Sequence, residues 1–163
     1  MKELADAYKP TELRLDALID TVQDLALAEK VIQKQLGGLS ATVGYTLENE
    51  AYRHLPELLQ RDHKLLVQGR LKREHIQSRD GGFLEVNIVG DALQDGKKFK
   101  IIGESKAQLS RNDVDRFIRK KLDRFQGMFD PVFALLVTHM TSDKDVEDYA
   151  RSKGIVLYHS YDF

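Results

Sequence analysis

The chain contains no cysteine among its 163 residues, which excludes disulfides, thiolate metal sites and cysteine nucleophiles. No apolar run approaches membrane-spanning length, so no transmembrane helix is expected. The first twenty residues, MKELADAYKPTELRLDALID, scatter charges throughout and lack the unbroken apolar core of a secretory signal; the expectation is a cytoplasmic protein. No phosphate-cradling glycine loop is present, and Gly81-Gly82 reads as a turn. His54, His63, His75, His139 and His159 show no metal-ligand spacing, and His139 reads as a hydrogen-bonded structural residue. Net charge is also nearly absent: 25 Lys and Arg oppose 26 Asp and Glu, for a balance of −1.

That near-neutrality hides a local excess. Between Lys97 and Arg124 there are ten basic residues and four acids, a balance of +6. A neutral protein with such a stretch can present a phosphate-contacting face, although a solvated helix surface has the same composition.

Residues 11 to 36 read as one helix ended by Gly37-Gly38. Leu15, Leu18, Val22, Leu25, Ile32 and Leu36 fall on alternating three- and four-residue steps, interrupted only by Glu29. The pattern fits a coiled coil that assembles copies into a homo-oligomer, and equally an amphipathic helix packed on its own domain. The expected organisation is a helical segment over 1–38 and a second domain over 39–163. In the second, a helix over 46–60 should bend or divide at Pro56. Strands follow over 64–77, 83–90 and 99–106, the last two joined by an Asp95-Gly96 hairpin turn. Ser110 and Asp113 predict a capped helix to about 125, PVFALLVTHM a buried strand, Ser142 the cap of another helix, and IVLYHS a final strand. The order αβββαβαβ implies an α/β fold with a mixed sheet flanked by helices.

A candidate site follows from the hairpin. With a two-residue loop at 95–96, position 104 faces position 87 and position 106 faces 85. Strict alternation would then put Glu85, Asn87, Glu104 and Lys106 on one face, away from Leu84, Val86 and Ile88. Two carboxylates, an amide oxygen and a lysine suit a hard divalent cation, Mg²⁺ or Mn²⁺, held against phosphate oxygens. A rim ion pair is the plainer alternative for Glu104 and Lys106.

The stretch IIGESKAQ, on the second strand of a hairpin, resembles the E-x-K half-motif of the PD-(D/E)XK nuclease superfamily, which includes restriction endonucleases and Holliday-junction resolvases. The resemblance implies a restriction-endonuclease-like fold over roughly 40–160, with an N-terminal helical extension. It implies Mg²⁺-dependent cleavage of nucleic acid, DNA in the first instance, with Glu104 and Lys106 catalytic. GYTLENEAYRHL looks like the family helix that offers a glutamate to the same site, either Glu48 or Glu50. The Ser105 carbonyl is a further ligand by resemblance, and Gln108 resembles an accessory residue. Where the family places an aspartate this chain has Asn87; Glu85, or Asp91 through a bulge, would have to substitute. Arg111, Arg116, Arg119 and Lys120 would then contact backbone phosphates. Three readings therefore leave the sequence: an endonuclease, a nuclease-fold scaffold that binds nucleic acid with weakened or absent chemistry, and an assembly protein with no nucleic-acid partner.

Overall fold

The computed structural model describes residues 2–163, with side chains from Lys9 onward. Met1, the first residue of the expected segment 1–38, lies outside the described residues. The chain divides into two compact units, 1–41 and 42–163.

Helix α1 covers Lys2–His63. It does not stop at Gly37-Gly38 as expected. Each glycine costs about 1 kcal/mol in a helix interior, but neither adopts the left-handed conformation that would terminate the helix. The stop comes at Lys64, whose φ of 57° turns the chain while the Leu65 amide donates to the Leu59 carbonyl at 3.1 Å. Pro56 does not divide the helix either. Leu47, Ala51, Leu55, Leu58 and Leu59 are buried on both sides of it, and that burial offsets the lost hydrogen bond. The first unit is a contrast. Its aliphatic side chains from Leu13 to Leu39 are exposed, with none of the large ones below 46%.

Five strands form one mixed sheet in the order β1-β2-β3-β4-β5: Leu66–Gln77, Phe83–Gln94, Lys97–Leu109, Val132–Thr141 and Val156–His159. The first three are antiparallel; β3, β4 and β5 are parallel. The hairpin register is the one expected, with Gln94 opposite Lys97 and Ile88 opposite Gly103. Its turn residues Asp95 and Gly96 have φ of 50° and 79°, the left-handed pair of a two-residue hairpin loop.

A layer packs on each face. On one, α1 residues 47–59 bury Ile88, Ala92, Ile101, Leu135 and Val137. On the other, Val86, Val89, Ile102 and Leu136 pack with Val114, Phe117, Val146 and Ala150. Those last residues lie on α2 (Arg111–Phe117) and α4 (Val146–Ser152). The predicted helix from Ser110 to 125 is present in three pieces: α2, a π-helical turn over Ile118–Leu122, and α3 (Asp123–Phe125). Ser110 caps α2 in a full capping box with Asp113. Ser142 does not cap α4. Its amide instead bonds the Leu109 carbonyl at 2.8 Å, extending the ladder between β3 and β4, and the helix starts after Asp145. The architecture is thus mixed α/β, a five-stranded mixed sheet flanked by helices and preceded by a long N-terminal helix.

Candidate functional site

Strict alternation along β2 breaks at one point, and that break decides the site. Between Lys72 opposite Val89 and Glu74 opposite Val86, a single β1 residue, Arg73, faces two β2 residues, Asn87 and Ile88. This is a β-bulge. It turns both Asn87 and Ile88 toward α1, whereas Leu84 and Val86 stay on the α2 side. On β3, Ile101 and Ser105 face α1 while Ile102, Glu104 and Lys106 face α2. The four polar residues expected on one face are therefore split: Glu85 and Asn87 go with α1, Glu104 and Lys106 with α2.

On the α1 face the hub is Glu48, only 4% exposed. Between the two helix candidates, Glu48 meets the sheet, and Glu50 lies outward with Arg53 at 2.9 Å. Both Glu48 oxygens accept from the Arg73 guanidinium, the Nε bond measuring 3.1 Å. Asn87 Nδ2, Ser105 Oγ at 3.2 Å and Tyr52 OH at 3.2 Å complete the shell. Tyr52 OH also lies 2.6 Å from the Asn87 carbonyl oxygen, and burial together with Glu48 pushes its phenol up to about 12. Arg73 extends the network to Glu85 and stacks over Tyr45. The forked guanidinium bridges the two carboxylates through charge-assisted hydrogen bonds and leaves one negative charge unmatched.

The α2 face is organised differently. Lys106 pairs with Asp113 at 3.2 Å, and Asp113 also receives Arg116. Burial pushes the Asp113 carboxyl up, but its bonds from Ser110 and Lys106 outweigh this and leave it below the ordinary value. The π turn adds a residue to the helical path, and Lys121 on it donates to the Glu85 main-chain oxygen. Glu104 lies half-buried among Lys121, Lys106 and Arg116. Among the described residues its carboxylate has no hydrogen bond or ion pair. Burial raises it above the usual carboxylate value, against the pull of those three cations. Arg119 and Lys120 are exposed, Arg111 pairs with Asp145 beside Tyr149, and Gln108 is exposed at the end of β3.

Asp91 stays in the regular ladder opposite Lys100 and pairs with it at 3.0 Å. It is four β3 residues from Glu104, roughly 13 Å along the strand. The ligand set expected for Mg²⁺ or Mn²⁺ is not assembled. Glu48 and Glu85 share the single cation of Arg73, Asn87 uses its amide N–H on Glu48, and Glu104 faces the other way. Among the described residues no three His, Asp or Glu side chains converge on one point. His139 bonds Ser160 Oγ through Nδ1 at 2.8 Å, the structural role expected for it.

Arg73, Tyr52 and Lys121 were not singled out by sequence. Arg73 sits in RLKREH, where every residue but one is charged or His and none stands out. No family model matches the sequence, and no curated protein does. Two solved structures are similar in backbone. One is a protein of unknown function, AF1548: 17% identity, 65% of this chain and 55% of that one, TM-score 0.43. The other is the MspJI restriction endonuclease in complex with a 27-mer oligonucleotide: 15% identity, 82% of this chain and 30% of that one, TM-score 0.47. The chain thus spans about half of the first and under a third of the second. Among the described residues no helix is long and apolar enough to cross a membrane.

Proposed function

We propose that the chain is a nucleic-acid-binding protein of restriction-endonuclease-like topology, gripping backbone phosphates with its α2 face. The observation that carries this is the convergence of Lys106, Arg116 and Lys121 on one patch of β3, continued outward by exposed Arg119 and Lys120. Phosphate contacts of this kind position a strand without reading its sequence. Lys106 and Arg116 already share Asp113, so the three cations without an ion pair among the described residues, Arg119, Lys120 and Lys121, predict a log–log salt slope of roughly −3 for a duplex. Fluorescence anisotropy with duplex and branched DNA, and with RNA, from 50 to 200 mM salt measures it. Replacing Arg119, Lys120 and Lys121 by alanine should flatten the slope by roughly 1 for each phosphate that is no longer neutralised. A triple variant that binds as tightly and with the same slope removes the proposal.

A second reading, phosphodiester hydrolysis, is favoured by one feature: an unpaired, half-buried Glu104 two residues before Lys106. A carboxylate held above its ordinary value is a better proton acceptor for an attacking water. Lys106 and Lys121 beside it would offset charge growing on the phosphoryl oxygens. The same DNA substrates, incubated in Mg²⁺ or Mn²⁺, separate the two readings. Cleavage abolished by Lys106→Ala establishes hydrolysis; binding without cleavage in either metal leaves the protein a binding module.

A further inference from the structure

The first unit carries an exposed aliphatic seam. Because α1 continues through Gly37-Gly38, the three- and four-residue steps from Leu15 run on to Leu39 without a break. Seven aliphatic side chains line that seam, each at least 55% exposed. At roughly 100 Å² apiece, two copies would cover about 1,400 Å², the size of a standard stable interface. Of the positions flanking the seam between 14 and 40, only Arg14, in its first turn, is charged, so the usual flanking ion pairs do not set orientation.

Two other features do. Glu29 is the one polar member of the seam, its carboxylate held by Gln33 at 3.1 Å. A parallel pair would stack both Glu29 side chains in one layer. The charge along the helix is also lopsided: residues 15–26 carry Asp16, Asp20 and Asp24 with no base, whereas 28–39 carry Lys30 and Lys34 against Glu29. Parallel pairing sets acid beside acid; antiparallel pairing sets the acidic half of one copy beside the basic half of the other.

We infer that two copies of this chain pair antiparallel through residues 15–39, with Leu15 of one meeting Leu39 of the other. In that register Leu18 meets Leu36, Val22 meets Ile32, and Glu29 falls against Leu25 instead of its twin. Asp20 comes level with Lys34, and Asp24 with Lys30, on the outer faces of the pair, where they attract through the screened long-range field and form no ion pairs. The opposed helix dipoles are favourable as well.

The absence of cysteine makes the test direct. Leu15→Cys and Leu39→Cys each introduce a single thiol into the full chain. Refolded together and oxidised, the two variants should give a cross-linked species of twice 18.6 kDa joining position 15 to position 39. Either variant alone should give none, since its two thiols would lie roughly 36 Å apart along the pair. Position 15 linking to position 15 means a parallel pair and overturns the inference. So does a monomeric mass, or one above two chains, for the unaltered protein in light scattering.

Discussion

Removing the charge of Arg73 is the sharpest perturbation of the α1 face. Arg73→Met keeps most of the side-chain volume but removes the one cation that, among the described residues, pairs with the 4% exposed Glu48 carboxylate. The neutral donors Tyr52, Asn87 and Ser105 remain. Breaking one partner out of a buried ion pair costs about 3–5 kcal/mol. Arg73 itself keeps about a third of its surface in water, so the lower end applies, about 3 kcal/mol. For a unit of this length that corresponds to a Tm lower by roughly 10 °C. Glu48→Gln should cost less, about 1–2 kcal/mol, because the guanidinium left behind still reaches Glu85 and solvent. The double variant should therefore lose about 1–2 kcal/mol less than the sum of the two. Urea titrations followed by tyrosine near-ultraviolet circular dichroism give all three values. A loss below about 1 kcal/mol for Arg73→Met, or strict additivity, would refute the buried-pair reasoning.

Two further outcomes test other parts of the structure. Burial raises the folded-state value of Glu104, so the folded protein favours its protonated form. That group is without penalty below the unfolded value, and stability is lost as pH rises from there through the raised folded value. Glu104→Gln should accordingly stabilise at pH 7 and be neutral near pH 4; stabilisation of equal size at both pH values argues against a buried, ionised Glu104. At Gly103, a Cβ would come 2.7 Å from Leu135 Cδ1 and 3.1 Å from the Leu135 main-chain oxygen. Because the second contact is backbone in the adjacent parallel strand, Gly103→Ala should cost about 1–3 kcal/mol in a urea titration, and a neutral effect would mean that β3 and β4 can separate there.

The order of elements, the hairpin register and the Ser110 capping box were legible in the sequence because each depends on neighbouring residues: alternation, an Asp-Gly turn, a serine three places before an aspartate. The basic stretch and the aliphatic seam were legible for the same reason. Helix ends were less so: the local cost of Pro56 is outweighed by the burial of α1 on both sides of it, and Gly37-Gly38, though exposed, do not take the left-handed turn that would stop the helix. What only the tertiary structure decided is which polar groups meet. One extra residue in β2, opposite Arg73, moves Asn87 to the helix α1 side and leaves Glu104 on the other. A bulge is a property of two paired strands distant in sequence, so neither strand carries it alone. Through it Arg73 reaches Glu48, twenty-five residues away, and holds the buried carboxylate that the sequence had offered to a metal ion.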